Sequence, residues 1–100
     1  MQIFSDRKKD TVRVRIVGEL DHHTANETRD ILDDLIQEDT MHMHLDLSGL
    51  TFMDSSGIGV LIGRYKIISA KGGSITVTKV NSQVDRIIRM AGLYNILRRA

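Results

Sequence analysis

The sequence predicts one α/β domain over residues 1–100, with a small sheet of about four strands and helices packed mainly on one of its faces. Segments in which apolar and polar residues alternate are separated by segments whose apolar residues recur at helical spacing. This order of strand and helix in alternation favours parallel neighbouring strands. Strands covered on both faces are apolar nearly throughout, whereas these alternate, so we expect the second face of the sheet to be largely solvated.

The strands are predicted from a period of two between apolar and polar residues. They are expected at residues 11–17, 41–47 and 74–80, with a short additional edge strand at residues 2–6. In the first of them Val12, Val14 and Ile16 face the core, and Arg13 and Arg15 face outward.

Three helices are predicted between and after these strands. Thr24 and Glu27 have the spacing of a capping box and precede an apolar stripe that ends at Ile36. A second helix is expected at residues 57–70, before the two glycines that stop it. Its own glycines leave a strip without side chains, which predicts that Gly59 packs closely against another element.

The third helix is expected to begin at a cap formed by Ser82 with Asp85 and to end at Gly92. Apolar residues recur in the tail at residues 93–99, which predicts the start of a fourth, incomplete helix there.

The composition argues against several classes of function. Fourteen basic and 13 acidic residues give a net charge of +1, unlike a polyanion-binding protein. There is no cysteine, which excludes disulfides, thiolate metal sites and cysteine nucleophiles. No apolar run approaches the roughly 18–20 residues that span a bilayer, and the first ten residues lack a signal-peptide pattern. We therefore expect a cytoplasmic protein that binds neither nucleic acid nor a membrane.

The most informative stretch is the start of the second helix, where Asp54, Ser55 and Ser56 precede Gly57. Asp and Ser are preferred N-cap residues, so simple capping is one interpretation. Two hydroxyls and a carboxylate followed by glycine exceed what capping requires. The alternative is an anion site, because a helix N-terminus with bare amides would hold a phosphate carried by one of the serines.

A second polar loop, residues 18–25, leads from the first clear strand into the first helix and contains Glu19, Asp21, His22 and Thr24. Loops at the carboxyl ends of parallel strands gather at one edge of a sheet. We therefore expect this loop to lie beside the Asp54 loop and to form a composite binding surface with it.

The sequence fits the known catalytic and metal-binding motifs poorly. Neither serine lies in a Gly-x-Ser-x-Gly motif, and no P-loop or dinucleotide fingerprint is present. His42 and His44 alternate on one strand face, but no further ligands are placed beside them, so we expect them to be exposed and predict no metal or cofactor. We predict that the protein is not an enzyme and has no catalytic residues; a small serine hydrolase remains the alternative of a different class.

A family resemblance rests on these motifs. Residues 52–66 (FMDSSGIGVLIGRYK) resemble the signature of the anti-sigma factor antagonists, which are bacterial STAS-domain proteins. Residues 18–25 resemble the sporulation branch in particular, and residues 82–96 resemble the late helix of the family and the turn after it. Family members usually continue beyond that point into another helix.

The resemblance implies a phosphorylation switch. In this family the unphosphorylated antagonist binds an anti-sigma factor that is also a serine kinase, which releases the sigma factor. The kinase phosphorylates the serine directly after the motif's Asp, here Ser55, and a PP2C-type phosphatase reverses the reaction. The residues implied in partner binding, on a chain expected to be monomeric when free, are Asp21, His22, Thr24, Asp54, Ser55, Ser56 and Gly57. A general-stress antagonist and a STAS subunit of a sensory complex are the alternatives within the family.

Overall fold

The computed structural model describes all 100 residues, which form six strands and three α-helices. Their bounds are β1 Gln2–Lys8, β2 Thr11–Leu20, α1 Ala25–Leu35, β3 His42–Asp46, β4 Leu50–Met53, α2 Ser55–Ala70, β5 Ser74–Thr78, α3 Ser82–Met90 and β6 Arg98–Arg99. The chain therefore follows the predicted alternation of strands and helices, and the α/β class is confirmed.

The strands form one mixed sheet in the order β1-β2-β3-β5-β6, with β4 paired to β2. β1 runs antiparallel to β2, and the other pairs are parallel. β2 is long enough to pair twice: its first half pairs with β3 and its last residues, after a register shift between Gly18 and Glu19, pair with β4. The carboxyl ends of β2 and β4 therefore lie side by side.

Helices cover one face of the sheet, as the alternation predicts. Val12, Val14 and Ile16 of β2 are buried, whereas Arg13 and Arg15 on the opposite face are exposed. The helical residues that fill the core against this face include Leu32, Leu61, Ile68, Val84 and Ile88.

The expected number of about four strands is too low, because β4 and β6 were missed. Leu50 and Met53, the two ends of β4, are buried and the two residues between them are exposed, so β4 has no period of two to detect. The expected fourth helix is also wrong. A 3₁₀ turn at Leu93–Asn95 and the two-residue strand β6 occupy the tail instead, after Gly92 turns the chain at φ 74°.

Two of the predicted helix caps differ from those in the structure. Thr24 precedes α1 as expected, but its side chain caps no amide of that helix and instead donates to the carbonyl of Glu19 at 2.7 Å. The cap of α3 lies one residue earlier than Ser82: the side-chain oxygen of Asn81 accepts from the N–H of Val84 at 2.9 Å.

The expected close packing at Gly59 is wrong as well. A Cβ atom added to Gly59 or Gly63 would have no other atom within 4 Å, so this strip of α2 faces open space. The glycine that packs closely is Gly57, where an added Cβ would lie 2.6 Å from Cγ of Met53.

Candidate functional site

The two polar loops singled out in the sequence meet at one edge of the sheet. Leu20, the last residue of β2, pairs with Met53, the last residue of β4. The N–H of Asp54 continues this contact by donating to the carbonyl of Leu20 at 3.3 Å. The loop at residues 21–24 and the start of α2 are therefore neighbours, as the parallel arrangement predicts.

Asp54 is the N-cap of α2. Its Oδ1 accepts hydrogen bonds from the N–H of Ser56 at 2.8 Å and of Gly57 at 3.3 Å. Ser55 is the first helical residue and is exposed, and its hydroxyl makes no hydrogen bond. Because the carboxylate of Asp54 does the capping, the hydroxyl of Ser55 is free of a structural role.

Asp21 organises the neighbouring loop. Its Oδ1 accepts from the N–H of His23 at 2.9 Å and of Thr24 at 3.2 Å. Partial removal from water alone would raise the pKa of this carboxyl, but the hydrogen bonds from these two amides outweigh it and hold the pKa below its usual value. Asp21 therefore stays ionised, and its negative charge lies in the same loop as His22.

His22 bridges the two loops. Its Nδ1 lies 3.9 Å from Oδ2 of Asp54, the oxygen that Asp54 does not use for capping. The ring of His23 lies against that of His22, with 3.9 Å between the ring centroids. Thus the loop that carries Asp21, His22 and Thr24 lies next to the Asp54 cap and the exposed Ser55.

Neither Ser55 nor Ser56 has its hydroxyl hydrogen-bonded to a histidine, the contact by which a serine nucleophile is activated. His42 and His44 are half-buried rather than freely exposed as expected, and Nδ1 of His42 lies 2.9 Å from the hydroxyl of Ser74.

No three His, Cys, Asp or Glu side chains converge in a way that could hold a metal ion. None of the helices combines the length and apolar character needed to cross a bilayer.

Sequence reasoning missed one unusual residue near the site. Arg64 is 8% exposed, and its Nε lies 3.0 Å from Oδ1 of Asp33 on α1. It belongs to the buried stripe of α2, between Leu61 and Ile68. A charged residue at a core position of an apolar helical stripe is the signal that could have identified it.

Comparison with known proteins agrees with this geometry. The family model of the STAS domain matches residues 3–99. An anti-sigma F factor antagonist of Paenibacillus polymyxa is 45% identical over 98 residues, which cover 97% of this chain and 84% of that protein. An anti-sigma-B factor antagonist of Staphylococcus epidermidis is 28% identical over 88 residues, which cover 88% of this chain and 82% of the relative.

The fold is similar to that of a solved structure as well. The Bacillus cell fate determinant SpoIIAA in its phosphorylated form superposes with a TM-score of 0.75 at 27% identity, over 99% of this chain and 91% of that one.

Proposed function

The chain belongs to the STAS domain family, and from this membership we propose that it is an anti-sigma factor antagonist: it binds an anti-sigma factor and thereby frees the sigma factor held by that partner. The observation that carries the proposal is the pair of loops around Ser55. They present an exposed hydroxyl whose own helix is already capped by Asp54, next to the loop that carries the ionised Asp21.

The partner surface in this proposal consists of the two neighbouring loops. Asp21, His22 and Thr24 contribute from the first loop, and Asp54, Ser55, Ser56 and Gly57 contribute from the second. The hydrogen bonds within each loop support the proposal, because they hold the exposed groups in one arrangement before the partner binds. Gly57 is buried, so its part in this surface is to let the start of α2 lie close against β2.

Phosphorylation of Ser55 is the proposed switch, made by an anti-sigma factor that is also a serine kinase and reversed by a PP2C-type phosphatase. A phosphate adds about −1.5 to −2 charges at neutral pH. The start of α2 tolerates an anion because the positive end of the helix dipole lies there. The same phosphate, beside Asp54, would repel a partner that holds the phosphates of ATP. The switch therefore acts on binding rather than on folding, and the chain itself catalyses nothing.

The sporulation branch is favoured over the general-stress branch. The support is the higher identity to the anti-sigma F factor antagonist, 45% compared with 28% for the anti-sigma-B factor antagonist. Because sigma factors act on RNA polymerase, the proposal also implies a cytoplasmic protein, which we propose is monomeric when free.

The decisive experiment mixes the purified chain with an anti-sigma F factor or an anti-sigma B factor, each with ATP, and maps phosphate by mass spectrometry. We expect a single phosphate on Ser55 with the first partner and little with the second. A phosphate confined to another residue contradicts the assigned switch, and absence of both binding and phosphorylation contradicts the function. Labelling of either serine by a fluorophosphonate probe would instead favour a hydrolase.

A further inference from the structure

A polar groove lies between α1 and α2, directly beside the proposed partner surface. It has a volume of about 300 Å³. Its walls carry the hydrogen-bonding side chains of His22, Asn26, Arg29, Ser56 and Arg64. His22 and Ser56 belong to both the groove and the surface around Ser55. A protein bound over Ser55 would therefore also cover the mouth of the groove.

Arg64 is the unusual residue in the wall of this groove. The residue is more than nine-tenths buried, yet Nη1 of its guanidinium has no hydrogen-bond partner. Oδ1 of Asp33 lies 3.0 Å from Nε and partly balances the charge, but the contact does not have the geometry of a hydrogen bond, so Nε is unpaired as well. Nη1 is itself enclosed, so an acceptor in the groove reaches it once the Arg64 side chain turns toward the groove, and this contact would relieve the cost of leaving the buried donor unpaired.

The charged side chains that line the groove are all basic. The lining holds two arginines and no Asp or Glu, although the chain has 13 acidic residues. Arg29 is exposed and pairs with the adjacent Asp30 at 3.1 Å, an ion pair that exchanges readily with water or another anion. Gly59 lies in the lining, and a Cβ at this position would touch nothing within 4 Å, so the entrance is open.

We propose that this groove receives an acidic side chain of the anti-sigma factor, with Arg64 and Arg29 as the groups that bind its carboxylate. The inference rests on the proposed function and names a contact beyond the surface around Ser55. A guanidinium binds a carboxylate through short, charge-assisted hydrogen bonds. Asn26 and the hydroxyl of Ser56 add neutral donors at the rim of the groove.

A carboxylate fits this groove better than a phosphate. The charge of Arg64 is already balanced in part by Asp33, and that of Arg29 by Asp30. Because each arginine already has a carboxylate beside it, the groove offers little net charge to offset the loss of hydration of a dianionic phosphate, which costs more than that of a singly charged carboxylate.

The first test measures the affinity of the unphosphorylated chain for the anti-sigma factor by titration calorimetry. Arg29→Gln removes a binding group, and Gly59→Leu fills the entrance. Two matched controls make the same changes elsewhere: Arg15→Gln lies on the opposite face of the sheet, and Gly63→Leu lies one turn further along α2, outside the lining. We expect a loss of roughly tenfold or more for each groove variant, as for a lost charge-assisted hydrogen bond, and less than about twofold for each control.

The second test identifies the bound group. Arg29→Lys places a primary amine in the groove, and a carbodiimide then joins that amine to any carboxylate beside it. We expect a cross-link from position 29 to an Asp or Glu of the anti-sigma factor, mapped by mass spectrometry, and none from Arg15→Lys. A complex that retains full affinity but gives no such cross-link overturns the assignment of a carboxylate.

The outcomes separate the inference from the proposed function. If the wild-type chain binds the anti-sigma factor and both groove variants bind as tightly as their controls, the groove is not a contact and the inference fails alone. If the wild-type chain binds no anti-sigma factor, the proposed function fails, and the inference that rests on it fails too.

Discussion

A Cβ atom added to Gly57 would lie 2.7 Å from the carbonyl oxygen of Leu20, so the first turn of α2 and the end of β2 touch backbone to backbone. This contact determines how closely the two polar loops approach each other. The absence of a side chain at Gly57 is therefore a requirement of the site as well as of the core.

Gly57→Ala should destabilise the fold by about 1–3 kcal/mol, because a backbone oxygen cannot move aside cheaply. Gly59→Ala is the matched control on the same helix. It meets nothing within 4 Å and should stabilise α2 by up to about 1 kcal/mol through helix propensity. Urea denaturation of both variants gives the two free energies of unfolding. A Gly57→Ala variant as stable as the wild type would show that β2 and α2 are not in backbone contact.

Ser55→Ala should separate binding from regulation. The hydroxyl of Ser55 makes no hydrogen bond and Asp54 retains the cap, so the free energy of unfolding should change by less than about 0.5 kcal/mol. The variant should stay bound to the anti-sigma factor when ATP is added, whereas Ser56→Ala should be released as the wild type is. Size-exclusion chromatography with and without ATP distinguishes these cases. Release of Ser55→Ala by ATP would mean that the switch lies elsewhere.

Phosphorylation of Ser55 should leave the free chain folded and still prevent tight binding. The dipole of α2 favours the phosphate by about 0.3–1 kcal/mol, and Asp54 opposes it by about 1 kcal/mol per pair of unit charges at ~4 Å in water, so the two effects nearly cancel. At the partner surface water is excluded and the dianion must lose its hydration, which costs several kcal/mol.

The measurement compares thermal unfolding and titration with the anti-sigma factor for the two forms. We expect a change in Tm of less than about 5 °C, since about 1 kcal/mol moves the Tm of a domain of this size by some 4–8 °C. A fall of more than about 10 °C with binding intact would point to a switch that works through unfolding.

The contact between Tyr94 and Asp85 should stabilise the fold most strongly within a defined range of pH. The hydroxyl of Tyr94 donates to the carboxylate of Asp85, with Arg89 and Arg99 each 5.4 Å from the ring centroid. Burial, followed by the hydrogen bond to Asp85, raises the pKa of Tyr94 to about 12. The hydrogen bond from Tyr94 is the main cause of the lowered pKa of Asp85, and partial desolvation opposes it.

The raised pKa of Tyr94 sets the upper limit of this pH range, and the lowered pKa of Asp85 sets the lower limit. The Tyr94 contribution is complete below the unfolded pKa of about 10 and is lost as the pH rises through the folded value. The Asp85 contribution is complete above the unfolded pKa of about 3.9 and is lost as the pH falls through its lowered folded value. Tyr94→Phe should therefore be most destabilising between these limits. Tyr65→Phe, whose hydroxyl makes no hydrogen bond, serves as the control, and equal effects of the two variants at every pH would contradict the prediction.

The sequence predicted those parts of the fold in which one face is buried and the chain is regular. β2 alternates cleanly, and its inward residues were identified correctly. β4 was missed because it is buried at both of its ends and exposed between them. β6 was missed because a two-residue strand of exposed arginines has neither an apolar position nor a period.

Within the candidate site, sequence reasoning identified the side chains but not all of their partners. It expected Thr24 to cap α1, yet the path of the loop brings its hydroxyl to the carbonyl of Glu19, and it caps no amide of that helix. It also missed Arg64, because helical spacing alone does not reveal that Asp33 of another helix balances the charge. Both errors concern contacts between elements that are distant in the sequence or set by loop geometry.

The pairing of β1 with β2 has a kinetic consequence. The two strands are joined only by Lys9 and Asp10, and they pair from Lys8↔Thr11 to Gln2↔Val17. Each parallel pair in the centre of the sheet must instead wait for an intervening helix to bring its strands together. Closing a short loop costs less entropy than closing a long one, and hairpins form within about 1–10 μs. The hairpin is therefore expected to assemble early during folding and to present β2 as a template on which β3 docks.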